Sequence, residues 1–115
     1  MITIWHNPRC SKSRQALAIV EGSGMAFSVR KYLEDAPSIA ELEMALTALD
    51  LKPIDMMRKG EARFRELGLA KDSDDQTLLT AMSKNPILIE RPIVFQGDRA
   101  VIGRPPEKVS SLLAG

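Results

Sequence analysis

The chain has 115 residues and a nearly balanced charge, with 16 Lys and Arg side chains against 15 Asp and Glu side chains. This length suits one soluble domain, and a net charge of +1 gives no bulk attraction to nucleic acid or to an acidic membrane. One Cys and one His exclude an intrachain disulfide, a Cys-x-x-Cys redox pair and a Cys- or His-rich metal site. We find no signal peptide and no apolar run that could cross a bilayer, so we expect a reducing, cytoplasmic setting.

The first third of the chain predicts a β-α-β unit. Ile2 to Trp5 is a short β-prone run that Asn7-Pro8 stops. A helix can begin at Ser11 and end at Gly22, and Phe27 to Leu33 is rich in β-forming residues. Because about one helix separates the two strands, we expect them to lie parallel with a right-handed crossover.

The middle of the chain predicts several helices. Ser38-Ile39-Ala40-Glu41 is a capping-box pattern, and the leucines that follow it have helical spacing. Three further helical segments are expected, at Pro53 to Arg58, at Glu61 to Leu67 before Gly68, and from Asp74 or Asp75 to a point before Asn85-Pro86.

The end of the chain predicts a β-hairpin and a last helix. Two β-prone runs, Ile93 to Phe95 and Ala100 to Ile102, flank a tight turn that contains Gly97. Glu107 to Leu113 is the expected last helix. The order β-α-β, helical block, β-β-α predicts a mixed α/β sheet of thioredoxin-like type. Residues 1–115 would form one domain, with a helical insertion at about 38–85.

The segment from His6 to Arg14 places the only Cys where a strand ends and a helix begins. The N–H groups and the dipole of a helix start favour a thiolate, which is the reactive form. Lowering a thiol pKa from ~8.5 to ~6.5 requires about 2.7 kcal/mol, whereas the dipole supplies at most ~2 kcal/mol. Further donors or cations near Cys10 are therefore required, and His6, Arg9, Ser13 and Arg14 are close in sequence. The alternative is a buried, structural Cys.

Three arginines further along the chain, Arg58, Arg91 and Arg104, have suggestive positions. Arg91 and Arg104 flank the predicted hairpin, so both could lie near the end of the sheet at Cys10. Guanidinium groups bind tetrahedral oxyanions through paired hydrogen bonds. One thiolate with several arginines therefore suggests attack on an oxyanion, or activation of the thiol itself. The alternative for each arginine is a solvated charge or an ordinary salt bridge.

Four motifs occur in order along the chain and resemble those of the glutaredoxin-coupled arsenate reductases. They are His-Asn-Pro-x-Cys-x-x-Ser-Arg, Leu-Gly-Leu-Ala, Asn-Pro-Ile-Leu-Ile-x-Arg-Pro-Ile-Val and Gly-Arg-Pro. The resemblance covers essentially the whole chain and implies a thioredoxin-like fold with a helical insertion. It implies that Cys10 is the nucleophile and that His6 helps to lower its pKa. It also implies the remaining site residues: Arg58, Arg91 and Arg104 as oxyanion-binding arginines, Ser13 beside the thiolate, and a cis peptide bond at Arg91-Pro92.

The resemblance implies an enzyme that reduces arsenate to arsenite. We expect a monomer without a bound cofactor. With no second Cys to resolve a Cys10 adduct, an external thiol must supply the electrons, and the resemblance implies glutathione and glutaredoxin. One alternative is a redox regulator similar to the Spx proteins that bind RNA polymerase. His6, Ser13 and Arg104 favour the reductase over that regulator. Another alternative is a glutathione-dependent thiol reductase with another substrate, which the residues do not separate from an arsenate reductase.

Overall fold

A computed structural model describes residues 1–114, which form two compact units. The first unit consists of Met1–Asp35 together with the residues from Arg91 onward, and the second unit is Ala36–Glu90. The expectation that the whole chain is one domain with an insertion at about 38–85 stays a prediction.

The first unit contains a four-stranded sheet in the order β2-β1-β3-β4. The strands are β1 (Ile2–Trp5), β2 (Phe27–Arg30), β3 (Ile93–Gln96) and β4 (Arg99–Ile102). β1 runs parallel to β2, to which it is joined through helix α1 (Ser11–Gly22), and antiparallel to β3. β3 and β4 form the predicted hairpin, in which Gly97 has a φ of 62°. The sheet is therefore mixed, as the order of predicted elements indicated.

The two faces of this sheet bury different side chains. Ile4 and Val94 are register partners, and both belong to a core cluster that includes residues of α1 and of α5 (Glu107–Ala114). The buried members of the cluster are Ile2, Ile4, Ala16, Val20, Val94, Val109 and Leu112. Because side chains alternate along a strand, Trp5 and Phe95 lie on the opposite face. Their ring centroids are 5.0 Å apart, and the guanidinium carbon of Arg30 lies 5.7 Å from the Trp5 ring centroid.

The second unit is helical and follows its predicted caps. Its helices are α2 (Ile39–Leu49), α3 (Ala62–Glu66) and α4 (Asp75–Lys84), with short 3₁₀ helices at Pro53–Met56 and Pro86–Leu88. The Ser38 hydroxyl accepts a hydrogen bond from the Glu41 N–H, and the Glu41 carboxylate accepts one from the Ser38 N–H, which completes the predicted capping box. Asp74 caps α4 by accepting from the Thr77 N–H at 2.7 Å. No helix within residues 1–114 is long and apolar enough to span a bilayer.

Strand β2 is shorter than predicted and ends at Arg30 rather than at Leu33. The Lys31 carbonyl accepts hydrogen bonds from the N–H groups of Glu34 and Asp35, at 3.0 and 2.9 Å. These bonds turn the chain directly after the strand, although Tyr32 in the turn has high β propensity.

The segment predicted as a helix from Pro53 to Arg58 also differs. Its 3₁₀ helix ends at Met56, and Met57 pairs antiparallel with Ile89 in an isolated bridge. The Arg58 N–H donates to the Leu88 carbonyl at 2.8 Å. Hydrogen bonds to a distant segment therefore replace the continuation of the helix.

Candidate active site

Cys10 is the N-cap residue of α1, in the loop that follows β1. Its backbone N–H donates to the Asn7 carbonyl at 3.0 Å, and its own carbonyl accepts from the Arg14 N–H at 3.0 Å. The first bond closes the turn that Asn7-Pro8 begins, and the second starts the helix. Cys10 is partly exposed.

The environment of Cys10 lowers the pKa of its thiol. Burial alone would raise that pKa, but the backbone N–H groups of Ser13 and Lys12 favour the thiolate. The charge of Arg91 and a hydrogen bond from its side chain add to this effect. The sequence argument that a helix start needs an added cation agrees with this set of causes.

Arg104 also reaches the Cys10 sulfur. Its Nη1 lies 3.9 Å from the Cys10 Sγ and 3.4 Å from the Arg91 carbonyl oxygen, to which it donates. Arg104 therefore links the sulfur to the chain segment that carries Arg91. The structure thus brings two arginines, 81 and 94 residues from Cys10 in sequence (91 − 10 and 104 − 10), to one sulfur atom.

Gly103 allows the loop of Arg104 to pass close to Pro92. The Gly103 N–H donates to the Pro92 carbonyl at 2.9 Å. A Cβ at this position would lie 2.9 Å from the Pro92 Cγ and 3.1 Å from the Val109 Cγ2, so any side chain would overlap its neighbours. The Arg91-Pro92 peptide bond is cis, which confirms the prediction, and the Arg104-Pro105 bond, for which no such prediction was made, is also cis.

His6 contacts Ser13 in a buried hydrogen-bond pair. The His6 Nδ1 lies 2.6 Å from the Ser13 Oγ, and the side chains are 5% and 0% exposed. The Asn7 N–H donates to the same hydroxyl at 3.0 Å. Ser13 Oγ therefore joins the end of β1 to the first turn of α1, where its own backbone N–H acts on the Cys10 sulfur.

The pKa of His6 is lowered from its ordinary value. Burial of the ring is the largest cause, followed by repulsion from Lys31 and Arg14, whereas Glu21 acts in the opposite direction. The neutral ring is therefore the main form at pH 7, and the Ser13 hydroxyl can donate to its Nδ1. An effect of His6 on the thiol would then pass through Ser13 and not through a positive charge on the imidazole.

Arg58 belongs to the second unit, Ala36–Glu90, where its guanidinium pairs with a carboxylate. Its Nη2 lies 3.1 Å from the Glu61 Oε2, and its Nη1 lies 3.5 Å from the Ile87 carbonyl oxygen. The place of Arg58 beside Cys10 stays a prediction.

Sequence reasoning missed two residues that shape the loop around Cys10. Asn7 was used only to end a strand, yet its side chain accepts from the Arg9 N–H at 3.0 Å and its backbone bonds both Ser13 and Cys10. The signal was present, because Asn before Pro favours this kind of turn. Gly103 was seen only as part of a motif, and a sequence holds no sign of the contacts that require it.

The site combines a thiol whose pKa is lowered with two guanidinium groups. A thiolate in such a site can attack an electrophilic atom that carries negatively charged oxygens. The two guanidinium groups offset the repulsion between the thiolate and those oxygens. Within residues 1–114 no group of three His, Cys, Asp or Glu side chains could hold a metal ion.

Comparison with known proteins gives consistent matches over nearly the whole chain. Residues 5–112 match the model of the ArsC family. Proteins named arsenate reductase match at 43% identity in Neisseria meningitidis serogroup A and at 40% in Haemophilus influenzae. The first match covers 97% of both chains, and the second covers 97% of this chain and 98% of the relative.

A solved structure of an arsenate reductase from Vibrio cholerae is 46% identical and superposes with a TM-score of 0.92. The match covers 96% of this chain and 95% of that one. This similarity confirms the thioredoxin-like fold with a mixed four-stranded sheet that was predicted from the order of elements. With its family match, its close relatives and its fold in agreement, the chain belongs to the ArsC family.

Proposed function

We propose that this protein is an arsenate reductase that converts arsenate to arsenite through Cys10. The observation that carries this proposal is the position of Arg104 Nη1, 3.9 Å from a Cys10 sulfur whose pKa is already lowered. The relatives named arsenate reductase, at 40% and 43% identity over nearly the full chain, support it. They also favour a reductase over an Spx-like regulator.

In the first step the Cys10 thiolate attacks arsenic. A sulfur–arsenic bond forms, one arsenic–oxygen bond breaks, and the departing oxygen takes up protons and leaves as water, so arsenic stays in its +5 state. Arg91 and Arg104 hold the remaining oxygens through charge-assisted hydrogen bonds, and Arg58 is the third arginine of this set. For Arg58 the support is the motif resemblance, together with the hydrogen bond from its backbone N–H to the carbonyl of Leu88, which is part of the Asn-Pro-Ile-Leu-Ile-x-Arg-Pro-Ile-Val motif.

His6 and Ser13 have a positioning role in this proposal. Ser13 offers its backbone N–H to the thiolate, and its hydroxyl is held by His6 and by Asn7. His6 therefore keeps the first turn of α1 in the position where that N–H faces the sulfur. Its contribution to the low thiol pKa is geometric.

The reducing electrons come from outside the chain. Cys10 is the only Cys in the sequence, so no second thiol of the protein can release the adduct as a disulfide. Two external thiols give two electrons to arsenic and become a disulfide, after which water releases arsenite and Cys10 is again a thiol. We assign these roles to glutathione and glutaredoxin, in a reducing cytoplasm where Cys10 stays reduced.

Arsenate reduction by the purified protein with glutathione and glutaredoxin tests the proposal directly. We expect turnover that depends on the protein, and no turnover by Cys10→Ser, which keeps the size of the side chain but removes the nucleophile. The matched control is Ser11→Ala, a change at an exposed position next to Cys10 that leaves the thiol in place.

The alternatives predict different results in the same assay. A thiol reductase with another substrate would consume a mixed disulfide of glutathione but no arsenate. A regulator would show neither activity. Wild-type turnover equal to that of glutathione and glutaredoxin alone would refute the assignment to arsenate.

A further inference from the structure

The guanidinium of Arg58 is paired with a carboxylate of the same backbone turn. Arg58 Nη2 lies 3.1 Å from Glu61 Oε2, and the two side chains are 24% and 23% exposed. The Glu61 N–H also donates to the Arg58 carbonyl at 3.1 Å. One backbone turn therefore holds both residues, and the ion pair is less mobile than one between two long, fully exposed side chains.

The hydrogen bonds of Arg58 show what an incoming anion would meet. A guanidinium binds an oxyanion through either of two forks, Nε with Nη2 or Nη1 with Nη2. Nη2 belongs to both forks, and it is the atom that Glu61 contacts. The contact of Nη1 with the Ile87 carbonyl, at 3.5 Å, is long and easily exchanged. Nη2 carries one N–H for each fork, so an oxyanion that forms a paired contact with Arg58 either displaces Glu61 from Nη2 or binds on the fork beside it.

We propose that Glu61 is a positioning residue that occupies Arg58 before substrate binds and sets how tightly this arginine holds an oxyanion. The inference rests on the proposed function, in which Arg58 is an oxyanion ligand. The anion must displace the Glu61 carboxylate from Nη2 or bind beside it, and like charges repel at this distance. Glu61 therefore lowers the affinity of Arg58 for arsenate and for phosphate equally. The repulsion depends on the negative charge of the anion and not on whether its central atom is arsenic or phosphorus.

The substitution Glu61→Gln tests this role, since it keeps the shape and an acceptor oxygen but removes the charge. We expect the KM for arsenate and the inhibition constant for phosphate to fall together by about two- to fivefold, the size expected for a partly exposed ion pair. The turnover number should change little. The difference from wild type should shrink as ionic strength rises, because salt screens the charge.

Glu66→Gln is the matched control. Glu66 pairs with Arg63 at 3.5 Å with the same spacing of three residues on α3, but the pair is 61% and 49% exposed. Its removal should leave both constants unchanged. Thermal unfolding of each variant checks that neither substitution disturbs the fold.

Arg58→Ala separates failure of this inference from failure of the proposed function. A raised KM in Arg58→Ala, with no fall in Glu61→Gln, would overturn the inference alone. An unchanged KM in Arg58→Ala would remove Arg58 from the oxyanion site and overturn the inference, whereas turnover of arsenate by the wild type would still support the proposed function. If the wild type did not reduce arsenate, calorimetric titration with arsenate would replace KM. A Glu61→Gln affinity equal to or weaker than that of wild type would then be the refuting result. When Glu61→Gln is added to Arg58→Ala, it should have no further effect on anion binding, because Glu61 acts only through Arg58.

Discussion

The substitution Gly103→Ala tests whether close packing beneath the two arginines is required for the site. An added Cβ would lie 2.9 Å from Pro92 Cγ, 3.1 Å from Val109 Cγ2 and 3.5 Å from Ala16 Cβ. The first distance is shorter than van der Waals contact, and the Pro92 ring can move this atom only through a change of pucker. Val109 and Ala16 are fully buried in the core cluster, so they too have little room to move.

The expected cost follows from these contacts. Adding a methyl group to a packed core destabilises a protein by about 1–3 kcal/mol when backbone or ring atoms must shift. For a chain of this size about 1 kcal/mol corresponds to roughly 4 °C in melting temperature, so we expect a fall of roughly 4–12 °C. Gly103 lies next to Arg104 and contacts Pro92, which follows Arg91. Its displacement should therefore move the guanidinium groups and lower kcat/KM by more than the loss of folded protein explains.

Thermal unfolding by circular dichroism, together with arsenate kinetics well below the melting temperature, measures both effects. Gly22→Ala is the control, because outside the adjacent backbone of α1 no atom lies within 4 Å of the added Cβ. It should be neutral or slightly stabilising. A Gly103→Ala protein that melts within about one degree of wild type would show that the loop has room for a side chain, contrary to this packing argument.

The remaining predictions concern the charges and hydrogen bonds at the sulfur. Since the Cys10 pKa is lowered, thiolate absorbance should appear below the ordinary thiol pKa of ~8.5, and kcat/KM should rise with pH through the lowered pKa and then level off. Arg91→Ala should raise that pKa, and an identical titration curve would contradict the part assigned to its charge. Arg104→Ala should lower kcat/KM for arsenate by about 10²–10³-fold. Arg104→Lys should recover little of the lost activity, because one ammonium cannot form a paired contact. Full recovery by Lys would refute the paired geometry. His6→Ala and Ser13→Ala should each raise the Cys10 pKa. Because both residues act through one hydrogen bond, the double variant should raise this pKa no further than the larger single change does. Additive pKa shifts would refute this coupling.

The elements that could be predicted from sequence have local signals. Ser38 and Glu41 lie three residues apart and cap each other, and Gly68 and Gly97 take the positive φ values that end a helix and close a hairpin. Where the structure differed, a longer-range or turn-forming hydrogen bond decided the outcome. The bridge between Met57 and Ile89 ended a predicted helix, and no local pattern shows such a bridge.

The candidate site also has parts that a local sequence signal predicts and parts that depend on contacts between distant positions. The N-cap position of Cys10 follows from a strand, an Asn-Pro turn and a helix start, all within a few residues. The approach of Arg104 to the sulfur joins positions 94 residues apart, so composition and periodicity could only allow it, and the resemblance to a family was needed to expect it. The pairing of Arg58 with Glu61 has a simple sequence signal, opposite charges three residues apart, but its meaning depends on what Arg58 binds.

The position of Trp5, which packs against Phe95 in the first unit, allows that unit to be followed by spectroscopy. Trp5 is the only Trp and Tyr32 the only Tyr in the sequence, and both are buried in the first unit. Phe64 is the only aromatic residue of the second unit, so selectively excited tryptophan emission comes from the first unit alone. Emission and far-ultraviolet dichroism, recorded on one sample during denaturation, would coincide if the units unfold together and separate if the helices of 36–90 unfold independently. The protein therefore carries a built-in reporter for its own cooperativity, with no label required.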